Sequence, residues 1–372
     1  MLYLSIALLG LRVAPPTCPA SRLSSAQRVA PRVAPAVFMV DDGGAMNQVL
    51  SDAKEELEQS ADEAAMAFGK AERAAVETKR KAAEEAVASL RAAVDAAGDS
   101  HPVAKVLAKK GSAPAQGKVA KALKKPPGTL AIVPGGAPLT SVSQGGFDLD
   151  DPNYLSKQFR DGGAAAVLVD VRPEMRLRES ALSETVEEQE LARGEFPGPL
   201  HVVARGDFVD ELQLAQAKAD GASAVVLNLY LAGEEQTGAL MAAATELGLE
   251  PFVRVGDEEE VQAAVRLGAP IVCFGDVGLE RADELRQLLP AGVLSVCDVL
   301  LREAVRDAWR VRDMGFNAAI IGKPMLDMVV RERAPPDAVL KAMLSKGSVK
   351  FGLGMQLGRL EGAKEQLGSL SM

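Results

Sequence analysis

The 372-residue chain is poor in the residues from which most metal sites are made: it has two histidines, His101 and His201, and three cysteines, Cys18, Cys273 and Cys297. A histidine-rich metal site cannot be assembled from that inventory, and cysteines so few and scattered do not make a disulfide scaffold. Free thiols and no structural zinc are expected. Aromatic residues are 4% of the chain and the formal charge is −9, so few base-stacking platforms and an acidic balance argue against a nucleic-acid partner. No Gly-x-Gly-x-x-Gly run follows a strand-like segment, which disfavours a dinucleotide, and no cofactor is implied.

Asp, Glu and Lys are absent from residues 1–40, which hold Arg12, Arg22, Arg28 and Arg32 among Ala, Ser and Pro. "LYLSIALLGL" is too short for a membrane span, which needs about 20 apolar residues, and has the length of a signal-peptide core, with small residues around Ala20 as a cleavage site. The arginine-bearing stretch after it resembles a transit peptide. A leader over 1–40 is expected, addressing the chain to an organelle, plastid ahead of mitochondrion, with no transmembrane segment in the mature chain.

What is present beyond the leader is regular. Residues 41–97 are rich in Ala, Glu, Lys and Arg without proline, and Met46, Leu50, Ala53, Leu57, Ala61, Ala64, Phe68 and Ala71 recur at steps of three and four, which predicts a long charged helix. Its alanine-rich seam suits packing across its own domain, or a protein partner. Residues 98–128, with Lys, Pro, Gly and Ala, read as a flexible basic linker holding at most one short helix at "KVAKALKK". Over 129–347, eight short β-branched runs alternate with helical stretches, several of which end on Gly. Strands apolar on both faces and joined by helices imply a parallel sheet, and eight such units in this length predict an α/β fold, the (β/α)8 TIM barrel. Residues 348–372 form a glycine-rich tail.

The barrel segment resembles the indole-3-glycerol phosphate synthase family, from "ALKKPPGTLAIV" through "DFVDELQLAQAKADGASAVVL" and "LGLEPFVRVGDEEEVQAAVRLGAPIV" to "AAIIGKPML". The resemblance implies a carboxy-lyase of tryptophan biosynthesis. It also implies where that chemistry would sit, and several of those positions have changed. The family's substrate-holding Glu and Lys on the first strand correspond to Ile132 and Pro134. Its general-acid Lys after the third strand corresponds to Gly206, in "VVARGDF", where Asp207 and Phe208 are kept. An Arg-Gly-Asp adhesion signal is excluded there, because the tripeptide abuts a strand core. Arg205, one residue earlier, is expected to have the wrong strand parity to replace the missing acid. The catalytic Glu of the fifth strand corresponds to Arg254, the Asn of the sixth to Gly275, and the Glu-Ser-Gly of the seventh to Asp298, Val299 and Leu300.

These changes predict a family member that has lost the lyase activity and acts as a non-catalytic binding or interaction protein; the rival is an active synthase, or another phosphosugar-handling enzyme, with a rearranged site. No catalytic residue is assigned. Asp170, Arg254 and Asp298 are the candidate pocket residues, with Arg254 expected to pair with Asp298 or Asp170. Gly322 and Lys323 are the candidate phosphate-binding pair for a phosphorylated small molecule, because loops after the last strands of such barrels hold phosphate. Cys273 is expected to face the lumen and Cys297 the helices. The acidic run at 184–190 is expected to be a solvated helix face.

The leader reading has a direct test. Mass spectrometry of the protein from its native source should recover no peptides from Leu2 to Arg32, with the mature chain starting before Met46; recovery of those peptides from the mature form would overturn it.

Overall fold

The structure is a computed structural model that describes residues 75–112, 115, 117–136, 146–172, 175, 180–299, 301 and 303–345. Helix α1 (Val76–Ala97) leads through a 3-10 turn to α2 (Pro102–Leu107) and α3 (Lys118–Leu123), and the barrel begins at β1 (Ala131–Pro134). There follow α4 (Pro152–Asp161), β2 (Ala166–Asp170), α5 (Ala181–Leu191), β3 (His201–Arg205), α6 (Glu211–Ala219) and β4 (Ala224–Asn228). A single turn, α7 (Leu229–Ala232), precedes α8 (Glu234–Glu246), β5 (Glu250–Val255), α9 (Glu258–Arg266), β6 (Ile271–Phe274) and α10 (Leu279–Arg286). The barrel ends with β7 (Leu294–Cys297), α11 (Ala304–Met314), β8 (Ala318–Ile321), α12 (Lys323–Glu332) and α13 (Pro336–Leu344).

All eight strands are parallel, in the order β1-β8-β7-β6-β5-β4-β3-β2. The remaining seam, between β1 and β2, is drawn together by the Gly135–Leu168 bridge and by the Ala165 N–H donating to the Ile132 carbonyl at 2.9 Å. This is the (β/α)8 barrel that the alternating runs predict. Local chemistry starts several helices where the sequence places them. The side chains of Asp151, Asp210 and Asp257 accept the N–H groups of Asn153, Leu212 and Glu260, and Asp210 with Gln213 completes a reciprocal cap. Gly315 ends α11 with φ 94°, a left-handed conformation that glycine adopts without steric cost.

Period-two alternation divides each strand between two apolar layers. Ala131, Val133, Val203, Val226, Phe252, Ile271, Cys273, Val296 and Ile320 fill the lumen. Ile132, Val202, Val225, Val253, Val272, Cys297 and Ala319 meet the helices. Both cysteines are free, on opposite sides of the sheet as expected. Burial pushes the Cys297 thiol up to about 12, and burial with the nearby Asp298 charge pushes Cys273 well above the usual thiol range, so neither is a nucleophile. Cys18 lies outside the described residues.

The segment 98–128 departs from a flexible linker. Val103 is fully buried against α6 and its neighbours, and α3 reaches the lumen with Val119 and Leu123 as a plug at the end where the strands begin. The Glu250 carboxylate secures the plug by accepting the N–H groups of Val119 at 2.9 Å and Ala120 at 2.8 Å. Composition hides this, because in "KVAKALKK" the lysines that stay in water outnumber the two apolar residues that enter the barrel. The acidic run also departs from a solvated face. Glu188 is a partly buried ion-pair partner of Arg160 at 2.6 Å, and Gln189 is buried, accepting the Leu200 N–H and donating to Ser156.

Helix α1 lies across its own domain: Ala83 and Val87 are buried, Leu90 and Val94 pack against the core outside the sheet, and the Arg80 guanidinium donates to the Leu231 carbonyl. The apolar seam read at Met46 to Ala71 lies outside the described residues. The beginning of the predicted long helix, residues 41–74, the leader and the tail lie outside the described residues. Among those described, no helix is long and apolar enough to cross a membrane.

The plug has an energetic signature. Leu123→Ala should lower unfolding free energy by ~2–5 kcal/mol, as for other fully buried leucines, measured by urea denaturation of the purified protein. A change within error would mean that the segment is a linker after all.

Candidate functional site

Ligand sites of such barrels lie where the strands end, because there the connecting loops crowd around the lumen. In this chain the uppermost lumen layer is ionic rather than apolar. Arg205 follows Val203 on the lumen side of β3, Arg254 follows Phe252 on β5, and Asp298 follows Val296 past the end of β7. The three side chains converge. Asp298 accepts a hydrogen bond from Arg254 Nε at 2.9 Å and, on the same oxygen, a close one from Arg205 Nη2. The outer edge of the Arg254 guanidinium is taken by Asp276, which accepts from Nη1 and Nη2 at 2.7 Å each.

This chain of four charges, Arg205–Asp298–Arg254–Asp276, is nearly removed from water, with side-chain exposures of 12%, 8%, 9% and 2%. Two cations and two anions neutralise one another, which is what burial of such groups demands. Asp276 reaches Arg254 from a left-handed backbone, φ 62°, a conformation that Asp tolerates better than most residues. The arrangement also explains Gly275. A β-carbon there would stand 2.6 Å from Arg254 Nε and 2.8 Å from its Cζ, so the guanidinium occupies the volume of a side chain at that position.

Asp170 takes a separate partner. It accepts from Arg172 Nε at 2.9 Å and Nη2 at 2.7 Å, a two-point pair closed within the loop that leaves β2. The sequence candidates thus divide: Arg254 and Asp298 meet, whereas Asp170 is paired elsewhere. Arg205, Asp276 and Arg172 are the ionic residues that sequence reading missed. Arg205 is a correction of parity. It shares the lumen side with Val203, and the position after it is where the strand ends, so strict alternation cannot be carried past it. Its side chain takes the mouth through the Asp298 pair, while a β-carbon at Gly206 would meet Phe208 at 3.0 Å and Val171 at 3.1 Å.

On β1 the lumen positions are Ala131 and Val133, and Ile132 faces the helices. Neither side of that strand carries charge. Gly322 stands at the N-terminus of α12, and its carbonyl accepts the N–H groups of Met325 and Leu326. Pro324 has no N–H to offer. Lys323 extends along the outside of that helix to Asp327, 2.6 Å away, as an exposed pair. Leu300 lies outside the described residues. Among the described residues, Arg205 Nε, a donor, and Asn228 Oδ1, an acceptor, are buried at the mouth without a hydrogen-bond partner, and the Asn228 amide nitrogen donates to Asp207 at 3.3 Å.

The chemistry open to this layer is restricted. A guanidinium stays protonated at physiological pH and is a poor proton donor, and each carboxylate is held by at least one arginine. Among the described residues no group of His, Cys, Asp and Glu suited to a metal ion occurs.

The interlock of Arg254 with Gly275 predicts non-additivity. Gly275→Asn should destabilise the chain by ~1–3 kcal/mol through overpacking, and much of that cost should vanish in the Arg254→Ala background, measured as a double-mutant cycle by thermal or urea unfolding. Additive effects would show that the two positions are independent.

Comparison with known proteins places this geometry. The sequence pattern described as indole-3-glycerol phosphate synthase matches residues 83–332, more than half of the chain. The indole-3-glycerol phosphate synthase of Lachnoclostridium phytofermentans is 28% identical over 47% of this chain and 64% of its own length. That of Desulfotalea psychrophila is 33% identical over 34% and 51%, and that of Roseiflexus sp. (strain RS-1) 27% identical over 60% and 86%. The first of these matches therefore span less than two thirds of the relatives' own length. On its sequence pattern and its eight-stranded barrel, the chain belongs to the indole-3-glycerol phosphate synthase family of tryptophan biosynthesis.

Proposed function

We propose that this family member does not close and decarboxylate the family's substrate, and that it serves as a non-catalytic binding or interaction protein. The observation that carries the reading is the mouth itself, where the Arg205–Asp298–Arg254–Asp276 chain fills and neutralises the uppermost lumen layer. A lyase of this kind needs a group that can give up a proton at the substrate carbonyl. The position that the resemblance assigns to it is Gly206, and the nearest cation, Arg205, is locked to Asp298 by a guanidinium, a poor general acid. Charge of the sign that the resemblance expects on β5 is reversed at Arg254.

A phosphorylated small molecule at Gly322 and Lys323 stays part of the proposal, at the price of breaking the Lys323–Asp327 pair. The names carried by the relatives favour the other reading, an active synthase working through a rearranged site. Complementation of a tryptophan auxotroph lacking this step separates the two. A missing general acid alone removes roughly 10²–10⁴-fold in rate, so expression of the mature chain should give no growth without tryptophan. Robust growth would overturn the non-catalytic reading.

A further inference from the structure

At the opposite end of the barrel, where the strands begin, a cavity of about 360 Å³ opens between the plug helix α3 and the starts of β3, β4 and β5. Its volume falls within the range of small-molecule pockets, roughly 300–1,000 Å³. Its lining is cationic in a chain whose net charge is −9. Lys118 comes from α3, His201 from the first residue of β3 and Lys218 from the last turn of α6.

The two carboxylates that face the same space form no ion pair with these groups. Glu250 gives both oxygens to the backbone N–H groups of Val119 and Ala120. Glu190 is paired at the rim with Arg193, the remaining cation of the lining. Lys218 donates to the Gly248 carbonyl at 3.1 Å, a neutral acceptor. Neither Lys118 nor Lys218 has an ion-pair partner among the described residues, and the His201 imidazole has no hydrogen-bond partner there. The like charges press on one another: burial first, then the Lys118 charge, lowers the affinity of Lys218 for its proton. Burial likewise holds the His201 imidazole below its ordinary range, with Glu250 opposing and Lys118 adding to that effect.

We propose that this cavity is a second binding site, for a phosphate monoester of a small molecule, held by Lys118, Lys218 and His201. Three cationic or ionisable groups on three separate elements surround one volume, which suits a dianionic tetrahedral group approached from several sides. A carboxylate would use fewer of them. The cavity is larger than a bare phosphate, leaving room for the esterified part. The site lies on the face where barrels of this architecture place stability rather than chemistry, and it stands whether or not the mouth is catalytic. A bound dianion would also bridge α3 to β3 and α6, tying the plug more firmly to the barrel.

The two histidines make the test specific. In the full mature chain labelled with nitrogen-15, imidazole signals are followed against pH with inorganic phosphate, with a pentose 5-phosphate, or with sodium chloride at matched ionic strength. The His201 midpoint should rise by roughly 1–3 pH units when the site is filled, because an opposite charge nearby favours the protonated ring. It should do so at lower concentration of the ester than of inorganic phosphate. His101 is the internal control: its Nδ1 accepts the Val103 N–H at 3.2 Å, outside the cavity, and its midpoint should not move. Lys118→Glu, at an exposed position that leaves Val119 and Leu123 in place, should weaken the response at least about tenfold, the effect of a lost charge-assisted contact. No shift of His201 at millimolar phosphate ester, an equal response to sodium chloride, or an unchanged response in folded Lys118→Glu would each overturn the proposal.

Discussion

A closed ring of parallel strands encloses a lumen, and both ends of that lumen must be filled, because a void or an unpaired polar group there forfeits contacts along every strand. This constraint organises the chain. Through the middle of the barrel the lumen is apolar, from Ala131 and Val133 around to Val296 and Ile320. At the end where strands begin, α3 supplies Val119 and Leu123, with Glu250 satisfying the backbone of its first turn. At the end where strands finish, side chains of the described residues pair their charges across the lumen. Asp298 stands between two arginines from strands on either side of β4, and Asp276 completes the second arginine's contacts.

Filling the mouth with paired ions has consequences for chemistry that filling it with apolar residues would not. Such pairs contribute little net stability, since desolvation offsets most of their attraction, but removing one partner leaves a buried charge at a cost of ~3–5 kcal/mol. The pairs therefore hold one another in place. A substrate carboxylate or phosphate would have to compete with Asp276 and Asp298 for arginines that already have geometry close to ideal. Gly275 belongs to the same arrangement, because the volume of its missing side chain is where the Arg254 guanidinium lies. The arginine on one strand and the absent side chain on the next thus form one steric arrangement.

The two ends of the barrel thus differ in kind. Among the described residues of the mouth, Arg205, Arg254, Asp276 and Asp298 pair with one another. At the base, Lys118 and Lys218 line a cavity without ion-pair partners among the described residues, and of the two carboxylates there Glu250 is committed to the α3 backbone and Glu190 to Arg193. Family membership describes the scaffold common to both ends, and it is at the ends, where side chains rather than strands decide, that this chain's own properties reside.

Sequence by itself determined the elements. Strands apolar on both faces, helices with Asp at the start and Gly at the end, and eight repeats of that unit suffice to name the barrel, because local hydrogen bonding and burial periodicity depend on near neighbours in the chain. It determined side-chain direction within strands for the same reason, so the opposite facing of Cys273 and Cys297 was legible. Tertiary structure alone decided which ends of the pattern meet. Arg205 and Asp298 are far apart in sequence, as are Glu250 and Val119, and nothing in the spacing of either pair announces it. Parity also fails where a strand stops, which is why Arg205 read as facing away from the mouth and Gly206 as the position that mattered. The plug was hidden because two apolar residues among lysines look like a linker until a lumen is there to receive them, and the lumen exists only once all eight strands have closed.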